Sequence, residues 1–303
     1  MSASFFQLVS EKSRESPIWK GYSQLDRTQW LPAAALEELQ LHHLRSLVAH
    51  CRREVPYYRD TYQKCGLQED DLRTLADIRH LPLLARTTWQ SHYAHLQAEH
   101  LPPPMREAGT ASTSGTSGVA IELRQTNLTA LWWLAFFLRD LEWCGIDPRG
   151  SLACIRAVKL KTDEQKRRFR EGLVQPFWHA SLRGIIQMGP CHGFDLLQDP
   201  RRQLEWLRTT APRYLLGYPS NLDYLGQLLR EERGQIPNLE LIQSFAESLE
   251  DDMRERIETA FGVPVKNTYS CMEAGYLASP CPVGDGFHVH GENVILEVLD
   301  EAG

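Results

Sequence analysis

The sequence has no apolar run long enough to cross a bilayer. Its longest, residues 128–138, is about half of the ~20 residues a spanning helix needs, and it stops at Arg139 and Asp140. That run reads as a buried helix, and no membrane partner is expected. The start, MSASFFQLVSEKSRESP, lacks the basic n-region and sustained apolar stretch of a secretory signal. Basic excess is missing too: 33 Lys and Arg stand against 39 Asp and Glu, scattered among one another, which argues against a nucleic-acid partner. The densest basic stretch, 159–170, also holds Asp163 and Glu164 and reads as a solvated, mobile surface segment. Cysteine is sparse. Seven residues, an odd number spread over a long chain, suit reduced thiols in a cytoplasm better than a disulfide framework. No serine sits in G-x-S-x-G and no G-x-x-x-x-G-K-[ST] occurs, so a hydrolase elbow and a Walker loop both lack their key residues. No repeat of fixed period is visible.

What is there is the composition of a folding chain, 42% hydrophobic and 24% charged over 303 residues. Leu36, Leu39, Leu44, Leu47 and Val48 fall at helical spacing before Pro56, and Pro82 and residues 102–104 punctuate the stretch beyond it. A helical N-terminal region, 1–105, is expected ahead of an α/β core, 106–303. In the core, VAIELRQT reads as a strand, and Thr126 or Asn127 caps a helix running to Cys144 and ended by Gly145. Strands follow in SLACIRAVKL, GIIQM, residues 214–216, LELIQSF and VPVKNTY. Helices lie between them at 200–208, from Ser220 to Arg230, and after Ser248 to Gly262. This alternation predicts a largely parallel sheet flanked by helices.

Ligands of open α/β sheets bind beyond the C-terminal strand ends. GYPSN, AES and SCMEAG fall there. Upstream, STSGTSG at 112–118 has the glycines and hydroxyls of a phosphate cradle, and equally of a flexible linker.

These motifs in this order, with CP…GFHVHGENVILEVLDEAG after them, resemble the acyl-adenylate-forming superfamily, in its branch of phenylacetate–CoA ligase and CapK-type proteins, over residues 45–303. The resemblance implies a layered α/β fold, the large N-terminal domain of an ATP-dependent, AMP-forming carboxylate ligase. It implies that Thr113, Ser114, Gly115, Thr116, Ser117 and Gly118 hold ATP phosphates, with Thr116 and Glu273 catalytic. Ala246, Glu247 and Ser248 would border the adenine; Tyr269, Ser270, Cys271 and Met272 would pack on the nucleotide; Glu273 would reach Mg2+. Tyr218, Pro219 and Ser220 would shape the pocket for a small carboxylic acid, although Ser220 is equally a helix cap and Tyr269 equally core lining. CoA or another thiol would accept the acyl group. Cys281 and His288 would be half of a Zn2+ site completed further on, with His290 and Cys271 as other candidate ligands; a buried thiol and a surface imidazole explain the pair as well.

Two positions depart from the pattern: Val119 stands where a lysine is usual and Met272 where a threonine is. The chain also stops where the family continues into a small C-terminal domain. An incomplete ligase is therefore expected, set against a catalytically degenerate binding module or a polysaccharide-biosynthesis protein on the same fold. The oligomeric state is open, a homodimer included.

Overall fold

A computed structural model describes residues 9–113, 121–158, 160–284 and 286–299. In chain order its helices are α1 (Glu11–Arg14), α2 (Pro17–Thr28), α3 (Ala33–Glu54), α4 (Pro56–Lys64), α5 (Arg86–Ser91), α6 (Asn127–Trp143), α7 (Asp163–Glu171), α8 (Pro200–Thr210), α9 (Pro219–Glu231) and α10 (Asp251–Phe261). Its strands are β1 (Glu107–Thr113), β2 (Ile121–Thr126), β3 (Leu152–Arg156), β4 (Leu173–Gln175), β5 (Cys191–Asp195), β6 (Tyr214–Gly217), β7 (Leu241–Ser244), β8 (Val265–Asn267), β9 (Tyr269–Cys271), β10 (Gly275–Pro280) and β11 (Phe287–Val289). The chain divides into two compact units: residues 1–20, 136–270 and 278–288, and residues 21–135, 271–277 and 289–303.

The first unit is built on a six-stranded sheet of order β4-β5-β3-β6-β7-β8. Its neighbours are parallel from β5 through β8, and β4 runs antiparallel at the edge. The short runs LACIR and LIQS are buried at successive residues, as strands covered on both faces require. Each parallel pair beyond β6 needs a crossover, and α9 and α10 supply them. Leu215 and Ile242 of the sheet pack with Leu204 and Leu207 of α8, Leu222 and Leu225 of α9, and Ile257 and Phe261 of α10. Local chemistry sets the helix ends. The Asp199 carboxylate accepts the Arg201 N–H at 2.9 Å ahead of Pro200, and α10 stops at Gly262, whose φ of 71° leaves the helical region.

In the second unit, Pro56 both ends α3 and opens α4 at a first-turn position that needs no N–H. Leu44 and Val48 are buried there with Tyr62, Leu67 and Leu72, whereas Leu47 is exposed. β1 and β2 pair antiparallel. The Thr126 hydroxyl accepts the Thr129 N–H at 3.2 Å and starts α6, as expected.

Several sequence expectations are corrected. GIIQM is not a strand: the N–H groups of Ile185 and Ile186 both turn back to the Leu182 carbonyl, and the strand is instead the less apolar CHGFD. Residues 163–171 form a helix, started by Thr162 in a capping box and laced by Lys166–Asp163 and Arg167–Glu164 pairs, with only Phe169 buried. Neither Ser220 nor Ser248 is a cap. Tyr218 and Glu250 hold those positions. VPVKNTY ends as a strand at Asn267, and Tyr269 opens β9, part of a separate three-stranded sheet of order β11-β10-β9.

Candidate functional site

At one end of the parallel sheet, the segments after β6, β7 and β8 come together within the first unit. Tyr218, following β6, lays its ring against Phe245, following β7, with centroids 4.7 Å apart at 35°. The Glu247 carboxylate accepts the Ser220 backbone N–H at 3.0 Å, satisfying a donor in the first turn of α9. A neighbouring loop therefore caps α9, and the Ser220 hydroxyl is left out of that task. Ser220, Ala246, Glu247 and Ser248 are exposed, Pro219 is buried, Tyr269 is half exposed, and Ser270 is partly buried.

Ala246 sits at φ 65°, in the left-handed region where a Cβ costs about 1 kcal/mol. The turn is thus held by its surroundings, among them the Glu247–Ser220 bond. Ala246→Gly should raise stability by about 1 kcal/mol in urea unfolding; an unchanged or lowered midpoint would mean the turn carries no strain.

Beneath the loops the strand ends are tied to α6. Asp140, 1% exposed, accepts Gln243 Nε2 of β7 at 3.0 Å and the Thr268 hydroxyl just after β8 at 3.3 Å, and is hydrogen-bonded by Ser279 of β10. Burial pushes its carboxyl up to about 6, and the Ser279, Thr268 and Gln243 bonds act against that rise. The Thr268 N–H donates to the Ser244 carbonyl at 3.1 Å, and the Ser244 hydroxyl reaches Asn267 Oδ1 at 3.0 Å. Sequence reasoning missed Asp140, Gln243 and Thr268 as a group. The available signal was Asp140 itself, a charge in a helix that is apolar on most faces.

Cys271, Met272 and Glu273 belong to the second unit. Cys271 ends β9 and residues 272–274 turn into β10, so Glu273 precedes a strand and not a helix. The Cys271 thiol, held above its ordinary range chiefly by burial, accepts the Ala274 N–H at 3.3 Å and is hydrogen-bonded to Glu273. Met272 and Glu273 are exposed. Thr113 is the last residue of β1, and Ser114, Gly115, Thr116, Ser117 and Gly118 lie outside the described residues. Cys281 is partly buried, with its N–H bonded to the Gly286 carbonyl, and the exposed His288 sets its ring edge-on to Trp143 at 5.4 Å. Among the described residues no three His, Cys, Asp or Glu side chains gather as metal ligands. Nor, among them, is any helix long and apolar enough to cross a membrane.

No protein-family model matches the chain. Among solved structures it is similar in fold to 2-hydroxyisobutyryl-CoA ligase in complex with 2-HIB-AMP and CoA: TM-score 0.65 at 19% identity, covering 85% of this chain and 55% of that one. The parallel-rich sheet flanked by helices is the adenylate-forming fold. The sequence is similar to phenylacetate–coenzyme A ligases from Escherichia coli (23% identical over 255 residues, 83% of this chain and 54% of the relative) and Thermus thermophilus (24% over 276 residues, 89% and 58%). A third, from Pseudomonas putida, is 26% identical over 282 residues, 91% of this chain and 60% of the relative. The chain has the adenylate-forming fold, its sequence is phenylacetate–CoA ligase-like, and it spans a little over half the length of these relatives.

Proposed function

We propose that the chain forms the nucleotide- and acid-binding part of an ATP-dependent, AMP-forming acid–CoA ligase. The observation that carries this reading is the meeting of the segments after β6, β7 and β8 at one end of the sheet, in a chain whose relatives are CoA ligases. In the reaction, a carboxylate oxygen of the acid attacks the α-phosphorus of ATP and the bond to pyrophosphate breaks, giving acyl-AMP; a thiol then attacks the acyl carbonyl and AMP leaves.

Each group has a task that its chemistry suits. The backbone N–H and hydroxyl groups of residues 113–118, Thr116 included, would cradle the phosphates as charge shifts toward pyrophosphate. Ala246, Glu247 and Ser248 would line the adenine, with Tyr269, Ser270, Cys271 and Met272 on the nucleotide. Tyr218, Pro219 and Ser220 would bound the acid. The half-exposed Tyr218–Phe245 pair offers an apolar wall, and Ser220 has a hydroxyl not committed to starting its helix. Glu273 is the carboxylate that would hold Mg2+, which when bound neutralises phosphate charge. The division into a helical region, 1–105, and a binding core, 106–303, belongs to the same proposal, as does a cytoplasmic setting.

The test is exchange of labelled pyrophosphate into ATP with a panel of aryl and alkyl acids. Nucleotide binding without efficient turnover is expected of this chain, and acid-dependent exchange of a protein extended to the length of the relatives. Tight nucleotide binding with no exchange for any acid, in a protein extended to the length of the relatives, would leave a binding protein on this fold.

A further inference from the structure

Asp140 is a buried carboxyl that the proposed chemistry does not use, and its partners are neither random nor local. Gln243 is the penultimate residue of β7, and Thr268 directly follows β8. Two residues beyond Gln243 begins the 245–248 segment, and one beyond Thr268 stands Tyr269. Each partner donates from a side chain or lies beside a backbone bond that joins the two strand ends, as the Thr268 N–H joins the Ser244 carbonyl. A carboxylate offers acceptor positions for three donors at once, and no neutral side chain of that size does so.

We infer that Asp140 is a positioning residue: by accepting hydrogen bonds from Gln243, Thr268 and Ser279 it fixes the ends of β7 and β8, and so sets the affinity of the strand-end loops for an adenine nucleotide. This rests on the reading of those loops as a nucleotide site. Ionised, Asp140 accepts from all three partners; protonated, it must turn its own O–H toward one of them, and that clamp is looser. Burial places the change near pH 6. The other titratable groups nearby are Arg139, next to it in α6 with its guanidinium over the Phe136 and Trp143 rings, Cys144 one turn along, and Lys266 of β8, which acts on Cys144. Gln243 of β7 and Ser279 of β10 face it without charge.

The experiment titrates AMP calorimetrically into the wild type, Asp140→Asn and Asp140→Ala from pH 5 to 8.5. Amide hydrogen exchange of residues 243–249 and 267–271 is followed alongside. AMP has its own phosphate ionisation near pH 6, which cancels in the ratio of wild-type to Asp140→Asn affinity. That ratio should be near one at pH 5 and rise three- to tenfold through pH 6. Asp140→Ala should bind at least tenfold more weakly than the wild type at pH 8, without the inflection, and both segments should exchange faster in it. If Asp140→Ala does not fold, the Asp140→Asn ratio decides alone. A ratio that is flat with pH, or exchange unchanged in both segments of Asp140→Ala, overturns the inference. If the wild type binds no AMP, the nucleotide reading fails, and faster exchange confined to these segments would still show Asp140 holding the strand ends.

Discussion

Replacing Asp140 by Asn is expected to raise stability above pH 6, by up to about 3 kcal/mol at pH 8, and to change nothing near pH 4. The folded protein holds this carboxyl at about 6 against 3.8 for an ordinary aspartate, because burial penalises the charge more than three hydrogen bonds reward it. A raised carboxyl binds its proton more tightly folded than unfolded. Its stabilisation is therefore complete below about pH 4 and is lost as pH climbs through 6. A shift of about two units at roughly 1.4 kcal/mol each gives the figure. Asn keeps the shape and the oxygen facing Gln243 and carries no charge to bury. Urea unfolding of both proteins from pH 4 to 8 checks this; a difference independent of pH, or an Asn variant less stable at pH 8, contradicts it. Stability gained together with the lower AMP affinity expected of the same variant would mark Asp140 as a charge retained for the site and not for the fold.

Glu273→Gln is expected to lower acid-dependent pyrophosphate exchange on the order of 10² to 10³-fold, as loss of a group that stabilises developing charge commonly does. The side chain is exposed in the turn between β9 and β10, so the substitution should change stability by less than about 0.5 kcal/mol, and a lost rate would then report chemistry. Gln keeps the reach of the side chain and removes the negative charge that would face Mg2+. Exchange unchanged in Glu273→Gln would make Glu273 an ordinary surface acid.

The parts of the fold that could be read from the sequence are those where local and global demands agree. LELIQSF and residues 214–216 are short apolar runs bounded by turn residues, and they became β7 and β6. Gly262 ended its helix through the left-handed conformation, which glycine adopts far more freely than other residues. CHGFD misled because its fitness as a strand is tertiary: a Cβ at Gly193 would lie 2.8 Å from the Phe169 ring, so the small residue is set by a packed helix, not by strand propensity. The site was legible as segments and not as contacts. Nothing in the order of residues says that Glu247 caps a helix 27 positions earlier, or that Asp140 meets Gln243 and Thr268 at separations of 103 and 128. The approximate position of the site followed from strand ends; its internal bonding required the fold.

Hydrogen exchange with and without AMP asks both whether the chain binds an adenine nucleotide and where. Slower exchange on AMP addition is expected at residues 217–220, 244–248 and 268–270, where β6, β7 and β8 end and their loops begin. Saturable binding that leaves all three unprotected, or no binding at millimolar AMP, would contradict a nucleotide site at these strand ends.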